Sequence, residues 1–492
     1  MTRSFDNPVV PGFFPDPSVC RVGDDYYLVC SSFEYFPGVP ILHSRDLVHW
    51  RQIGNVLDRP SQLPMPAEAL ASRGIYAPTI RYHDGLFYMI TTNVSEGGNF
   101  VVTAEDPAGP WSDPVWIDLP GIDPSLVWDE DGNCWCTVHG VQLARVDPLA
   151  GKVLEGPWPI WSGTGLQWPE APHLYQIGDW WYLMIAEGGT ERGHTVAMAR
   201  ARHPRGPYEP APGNPILTHR GTDRPIQSTG HADLVSTPDG EWWMVLLATR
   251  PRGFTPNYHP LGRETFLTPV EWVDGWPRVG PVELTERAPN AWHPFDPPPV
   301  RDDFTGPALG FEWISPRVRP DESWSLTERP GWLTLHATGP TLDEPGHTFI
   351  GRRQQHQESH SEVLLDPGSA RAGLSVRLDE AHHYDLEVAG GRAEVIARIG
   401  PLRHTVAATE VPDGPVTLTV TTRLPTQEDE ATSGGKALGP DLVGFHVNGT
   451  LLTELDGRYL STEVASGFTG RVIGMYVTEG TASFDWFDYR QR

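Results

Sequence analysis

The 492-residue sequence has only four cysteines, Cys20, Cys30, Cys134 and Cys136. That is too few for a disulfide framework at this length, so buried, reduced thiols are expected. Cys134 and Cys136 stand two apart on an expected strand and share one face, but no second cysteine or histidine pair lies nearby to close a zinc tetrahedron. No metal is assigned to them. No window approaches eighteen uninterrupted apolar residues, which argues against a membrane-spanning helix. The opening Met1-Thr2-Arg3-Ser4-Phe5-Asp6 lacks a basic start followed by an apolar stretch, so a soluble, cytoplasmic protein is expected. Positive charge is scarce: 37 Lys and Arg against 63 Asp and Glu leave a formal net charge of −26. Nucleic acid and anionic membrane surfaces are poor partners for such a chain, whereas a neutral ligand meets no opposition.

Turns and rings are what the sequence has in abundance. Gly (51) and Pro (50) together make up roughly a fifth of the chain, and aromatic residues reach 10%. This favours many short strands over long helices. The length exceeds that of one compact domain of about 100–200 residues, so two or three units are expected.

One pattern recurs five times, a turn followed by an aromatic strand: Gly-Asp-Asp-Tyr-Tyr-Leu from Gly23, Asp-Gly-Leu-Phe-Tyr-Met from Asp84, Asp-Gly-Asn-Cys-Trp-Cys from Asp131, Gly-Asp-Trp-Trp-Tyr-Leu from Gly178 and Asp-Gly-Glu-Trp-Trp-Met from Asp239. Asp-Gly and Gly-Asp supply the positive φ of a tight hairpin turn, and the residues after them suit a half-buried pleated surface. The turn glycines Gly23, Gly85, Gly132, Gly178 and Gly240 are 62, 47, 46 and 62 residues apart, near the length of one four-stranded propeller blade. The spacing predicts five blades.

In a propeller the first strand of each blade lines the central channel. Seven to nine residues before the turn glycines stand Asp16, Pro78, Asp123, Glu170 and His231. Three carboxylates and an imidazole should therefore converge on one pocket. Two of the carboxylates share a context, Asp16-Pro17-Ser18 and Asp123-Pro124-Ser125, and the third sits in Glu170-Ala171-Pro172. A lone Asp-Pro means only a turn, but three acids at one repeat position mean more. Like charges crowded in a dry funnel should split into a carboxylate base and an acid with a raised pKa, which is what glycoside hydrolysis requires. Asp16 and Glu170 belong to non-adjacent blades, so the expected separation favours inversion over retention. Sugar faces stack on aromatic rings, and Phe33, Tyr76 and Trp168 are the best placed of the rings near the channel end.

With these residues in view, the chain resembles glycoside hydrolase family 43, the five-bladed β-xylosidases and α-L-arabinofuranosidases. The resemblance rests on Phe14-Pro15-Asp16-Pro17-Ser18, Gly121-Ile122-Asp123-Pro124-Ser125-Leu126, Glu170-Ala171-Pro172-His173-Leu174-Tyr175, Ala186-Glu187-Gly188-Gly189-Thr190 and Pro260-Leu261-Gly262-Arg263-Glu264-Thr265, in this order. It implies that Asp16 is the general base, that Glu170 is the general acid, and that Asp123 raises the acid's pKa and holds it in place. It further implies that Arg263 reaches a sugar hydroxyl and that Thr190 and Phe33 line the terminal sugar's subsite. His231, in Thr229-Gly230-His231-Ala232-Asp233, resembles the family histidine near a water-coordinated, structural calcium at the pocket base. No organic cofactor is implied.

The run Asn290-Ala291-Trp292-His293-Pro294-Phe295-Asp296-Pro297-Pro298-Pro299 reads as a stiff linker. The expected organisation is all-β: a five-bladed β-propeller over 1–289, a Pro-rich linker over 290–300 and a β-sandwich over 301–492. Alternation in Trp332-Leu333-Thr334-Leu335-His336, Val416-Thr417-Leu418-Thr419-Val420 and Phe484-Asp485-Trp486-Phe487-Asp488-Tyr489 supports the sandwich. About Pro425 to Pro440, with Gln427-Glu428-Asp429-Glu430 and Ser433-Gly434-Gly435, a surface loop is expected. Larger members of the resembling family carry a lectin-like sandwich, and Gly467-Phe468-Thr469-Gly470 is similar to a loop that brings Phe468 to the terminal subsite.

Two positions depart from the family pattern. Tyr76 stands where Trp is common, and the 47 residues from Asp123 to Glu170 are fewer than in typical two-domain members. The function read from all this is an inverting exo-glycosidase that removes terminal β-D-xylose from short oligosaccharides. An α-L-arabinofuranosidase or bifunctional enzyme acting on arabinoxylan fragments is the alternative. A non-catalytic sugar-binding propeller and a retaining fructan-type enzyme are competitors of other kinds, the first with no use for three facing carboxylates. The partner is a small oligosaccharide, and homo-oligomers are compatible with the sequence.

Overall fold

A computed structural model of the chain describes residues 3–317, 323–432 and 438–492. Strands dominate, and helix is confined to a few short pieces. Five antiparallel sheets succeed one another along the first 279 residues, four with four strands and the fourth in order with five. Their first strands are Ser18–Val22, Thr79–His83, Ser125–Trp128, Glu170–Ile177 and Gln227–Ser236. Each turns into the second strand of its sheet through one of the repeated glycines. Gly23, Gly85, Gly132, Gly178 and Gly240 all have φ between +58° and +90°, where a Cβ would be strained. The five first strands touch one another in a closed ring, the fifth returning to the first. This is the expected five-bladed propeller.

Ring closure has its own hardware. Ser4–Asp6 pairs with Thr285–Arg287, and the Asn7 side chain donates to Leu267 O at 2.9 Å and accepts from Leu267 N at 3.0 Å. Between blades lie apolar clusters such as Cys20, Ile41, Ile80, Phe87 and Met89, which show where the aromatic and aliphatic strand residues are used. All four cysteines are buried, and none of them is in a disulfide. Burial pushes the Cys20 and Cys136 thiols up to about 12.

At the centre of the ring one polar network draws on every blade. The Arg81 guanidinium (blade two) donates to Asp233 Oδ2 (blade five) at 2.8 Å, to Ser18 Oγ (blade one) at 3.1 Å and to His173 Nδ1 (blade four) at 3.1 Å. Asp233 also accepts from Ser18 Oγ, from Val19 N and, at 2.6 Å, from Tyr175 OH. Ser125 (blade three) joins through His173 Nδ1 at 2.8 Å. Burial raises the Asp233 carboxyl, but Arg81 and the hydrogen bonds outweigh it and hold it down at about 2. Burial lowers the His173 imidazole to about 3, so it is neutral.

The structure divides into two compact units: Met1–Pro66, Arg73–Arg250 and Glu264–Phe295 in one, and Ala67–Ser72, Pro251–Arg263 and Asp296–Arg492 in the other. The second unit is a β-sandwich. One sheet runs in the order Trp324–Ser325, Leu333–His336, Thr481–Gln491, Ser359–Asp366, Val416–Arg423, Leu442–Val447, Thr450–Asp456, and the facing sheet in the order Thr348–Arg353, Val472–Glu479, Arg371–Asp379, His382–Ala389, Arg392–Ile399, Leu402–Glu410. One core holds them together, with Val363, Leu418, Phe445 and Phe484 from the first sheet and Ile350, Leu374, Val395 and Met475 from the second. Ser359–Asp366 alternates buried and half-buried residues strictly, as a strand with one face on a core must.

In the segment expected to be a loop, Gln427–Thr432 is instead a short α-helix. Thr426 N and Oγ1 donate to Asp429 Oδ2 at 2.8 and 2.7 Å while Asp429 N donates back to Thr426 Oγ1 at 3.3 Å, a reciprocal cap. The Ser433-Gly434-Gly435 stretch lies outside the described residues.

The axial network sets an acid limit on stability. Unfolded, His173 takes up its proton near 6.5, but folded only near 3, and Asp233 moves from 3.8 to about 2. Between those values the unfolded chain binds more protons, so acidification favours unfolding, first through His173 below pH 6.5 and then through Asp233 below pH 4. Thermal midpoints are expected to fall steadily from pH 7 to pH 4. Replacing Arg81 by Met strands the buried Asp233 charge and should cost about 3–5 kcal/mol in denaturant unfolding.

Candidate active site

The three acids sit at the entry to first strands of the ring: Asp16 two residues before Ser18–Val22, Asp123 two before Ser125–Trp128, and Glu170 at the start of Glu170–Ile177. Asp16, Asp123 and His231 each stand two residues before a member of the axial network, Ser18, Ser125 and Asp233, so the network anchors the segment that carries each of them. This explains why Asp-Pro-Ser recurs.

The backbone here is unusual. Asp16 and Asp123 adopt φ of +55° and +54°, and Ala171 and His231 have φ of +49° and +43°. Residues other than glycine rarely enter this region, and such strain persists where surroundings over-determine it. The pairing of blade four shifts register between Glu170 and His173, and that of blade five does so on both sides of Gly230. Both are bulges that re-aim side chains at the acid and the histidine.

Each acid is held by specific partners. Asp16 accepts from Ser31 Oγ at 2.5 Å, while Ser31 N donates to Pro15 O at 3.1 Å and Thr265 Oγ1 of blade five donates to Phe14 O at 2.7 Å. His231 Nδ1 lies 3.5 Å from Asp16 Oδ1. Asp123 Oδ2 accepts from Ala171 N at 3.2 Å and so grips the residue after Glu170. The lead-ins to both acids hang on one turn of blade three, where His139 N donates to Ile122 O and Gly140 N to Pro169 O. Glu170 Oε1 lies 3.5 Å from His194 Nε2, and 18% of its side chain is exposed.

The acid's ionisation runs against expectation. Burial pushes the Glu170 carboxyl up, but His194, with His231 behind it, draws it down, and the net direction is below the ordinary glutamate range. Asp16 pushes it up only weakly, so the charge of Asp16 reaches Glu170 without deciding its pKa. Asp123 acts on Glu170 through the backbone of Ala171. Two imidazoles, one beside each outer acid, are what a reading based on like charges alone overlooks.

Phe33 is buried, has φ of +49°, and exchanges backbone hydrogen bonds with Ile75; its ring meets Tyr76 edge-on at 5.5 Å and stacks on Phe13 at 5.9 Å. Trp168 is 61% exposed, two residues before Glu170. Thr190 begins the turn that follows Gly188-Gly189. The loop bearing Trp168 is latched to the end of the second strand of blade four, Trp180–Glu187. Buried Glu187 accepts from Thr164 N at 3.1 Å and Thr164 Oγ1 at 2.5 Å, and Gln167 and Gly188 bond reciprocally. Arg263 and Phe468 lie in the second unit, where the guanidinium stands 5.4 Å over the ring and Phe468 N donates to Ser72 Oγ at 2.8 Å.

Among the described residues no three His, Cys, Asp or Glu side chains group so as to hold a metal ion. Calcium takes six to eight oxygens, and His231 offers a nitrogen already set against Asp16. The donors present do not fit a directly ligated calcium. Among the described residues no helix is long and apolar enough to cross a membrane.

Missed by sequence reasoning were His194, Ser31 and the anchor Arg81. Only Gly230, a glycine inside a strand, carried a signal, because such glycines mark a close approach.

Comparison with known proteins adds a separate line of evidence. Residues 5–277 match a family model described as Glycosyl hydrolases family 43, and residues 301–490 match one described as Beta xylosidase C-terminal Concanavalin A-like domain. A curated relative from Bacteroides ovatus, named Non-reducing end alpha-L-arabinofuranosidase BoGH43B, is 44% identical over 515 residues, covering 99% of this chain and 95% of that one. A Xylosidase/arabinosidase of Butyrivibrio fibrisolvens is 37% identical, with 98% of each chain covered. A solved structure described as Bacteroides ovatus Xyloglucan PUL GH43B superposes with a TM-score of 0.92 at 41% identity, covering 100% of both chains.

The latch on the Trp168 loop is testable. Thr164→Val removes the hydroxyl donor from a buried carboxylate and is expected to cost about 1–3 kcal/mol in denaturant unfolding. Limited proteolysis should then cut within residues 160–168 faster than in the parent.

Proposed function

The chain belongs to glycosyl hydrolases family 43, and from that premise we propose that it is an inverting exo-glycosidase removing terminal β-D-xylose from short xylo-oligosaccharides. The observation that carries this reading is the placement of Asp16, Asp123 and Glu170 at the entry to the first strands of three blades that touch in one ring, with Asp123 bonded to Ala171 N beside Glu170. In this reading Asp16 is the general base. Ser31 donates to its Oδ2 and holds the carboxylate that takes a proton from the attacking water. Glu170 is the general acid and protonates the leaving oxygen. Asp123 fixes the segment that carries it. Blades one and four are not neighbours in the ring, which supports the wider carboxylate separation that inversion requires.

Phe33 and Tyr76 are read as the apolar wall of the sugar site, and the exposed indole of Trp168 as a platform on the leaving-group side. The description of the C-terminal family supports xylose as the first choice. A second reading, α-L-arabinofuranosidase or dual activity, is favoured by the name of the 44% identical relative. Four buried cysteines outside any disulfide support action in a reducing compartment, such as the cytoplasm, on short oligosaccharides.

Glu170→Gln is expected to lower kcat on xylobiose by about 10²-fold or more with KM little changed. Unchanged turnover would favour a sugar-binding module over an enzyme. Proton NMR should find the first-formed xylose with inverted anomeric configuration; net retention would refute the pairing of Asp16 with Glu170. The ratio of kcat/KM on nitrophenyl β-xyloside and α-arabinofuranoside is expected to favour the xyloside, and the opposite ratio would promote the second reading.

A further inference from the structure

His194 is fully buried at the lead-in to Thr195–Ala201, beside a carboxyl the chemistry needs. Its Nδ1 lies 3.3 Å from Ser228 O in blade five, and its Nε2 3.5 Å from Glu170 Oε1, with no closer hydrogen-bond partner for Nε2 among the described residues. The chain makes room for this ring deliberately. A Cβ on Gly230 would fall 2.3 Å from Nδ1, and Ser228, whose carbonyl meets the ring, has φ of +59°. One short segment, residues 228–231, thus holds one imidazole beside Glu170 and supplies the other beside Asp16.

A carbonyl oxygen can only accept, so Nδ1 carries a hydrogen. Nε2 and Oε1 then face each other, and two bare lone pairs at that separation in a buried site would repel. A proton placed between them removes that repulsion. We propose that His194 is a positioning residue for Glu170: it engages Oε1 through this shared proton, leaves Oε2 to carry the proton delivered to the leaving group, and balances the charge that appears on the carboxyl. The proton leaves Oε2 for the glycosidic oxygen, whose bond to the anomeric carbon breaks with the electron pair passing to that oxygen. The carboxylate left behind is neutralised by the proton at Nε2. An imidazole in this place helps the transition state more than the ground state, because the charge it meets forms only as the proton departs. The downward direction of the Glu170 pKa reflects a stronger acid, favouring the ionised carboxyl that forms as the proton departs, and His231 and Asp16 are the other titratable groups acting on that carboxyl. The proposal rests on the reading of Glu170 as the acid.

Leaving-group dependence separates this role from a structural one. A dinitrophenyl leaving group departs without protonation, whereas the sugar alcohol of xylobiose does not. His194→Phe is expected to lower kcat on xylobiose by about 10²-fold, with dinitrophenyl β-xyloside turnover nearly intact and KM little changed. His194→Gln, whose amide reaches the place of Nε2, should recover part of the loss on xylobiose. Equal losses on both substrates would overturn the proposal. Glu170→Ala is the control: if it shows no leaving-group dependence, the acid assignment itself falls, whereas dependence in Glu170→Ala but not in His194→Phe refutes only the role of His194. Should the variants fail to fold, neutron diffraction of the unaltered enzyme is expected to place hydrogen on Nδ1 toward Ser228 O and a second between Nε2 and Oε1. A bare Nδ1 would refute the proposal.

Discussion

The buried ion pair between Arg81 and Asp233 is the interaction on which the catalytic ring depends. A buried pair repays its desolvation only where geometry is good and every remaining donor and acceptor is satisfied. Here Asp233 also accepts from Ser18, Val19 and Tyr175, and Arg81 also reaches Ser18 and His173, so the network spans blades one, two, four and five and reaches blade three through Ser125. Five first strands that could otherwise splay are drawn to one axis. Asp16, Asp123 and His231 each stand two residues before an anchored member of that network, Ser18, Ser125 and Asp233, so the network fixes the segments that carry them.

Rigidity at the axis accounts for the strain above it. Positive φ at Asp16, Asp123, Ala171, Ser228 and His231 costs about 1–3 kcal/mol at each position and persists only because the surrounding bonds leave no alternative. What the strain achieves is aim. Bulges at Glu170 and Gly230 turn the acid and the histidines toward one another, and the lead-ins to Asp123 and Glu170 share a single turn of blade three. The outer acids each face an imidazole, Asp16 that of His231 and Glu170 that of His194. Charge balance is thus local, and the acidic surplus of the whole chain has little bearing on it.

Much of this was legible in the residues. Hairpin glycines are local signals, and their spacing counts blades without knowledge of how blades meet. Alternation in segments such as Ser359–Asp366 likewise marks a sandwich strand before any partner is known. The short helix at Gln427–Thr432 was legible too, through Thr426 and Asp429 three apart, but a run of charge and glycine obscured it. Nothing comparable marks His194. It is a single histidine before a strand, and its meaning comes from Gly230, thirty-six positions later, leaving room for it.

The sequence by itself determined the number of blades, the sandwich and the repeat position that Asp16, Asp123 and Glu170 share, because turn chemistry, strand alternation and repeat position are properties of near neighbours in the chain. Only the tertiary structure decided which way the pKa of Glu170 moves, what stands beside each acid and what pins the ring. Those depend on distances between residues far apart in sequence, and electrostatic interactions in a buried site change sign or vanish over a few ångströms.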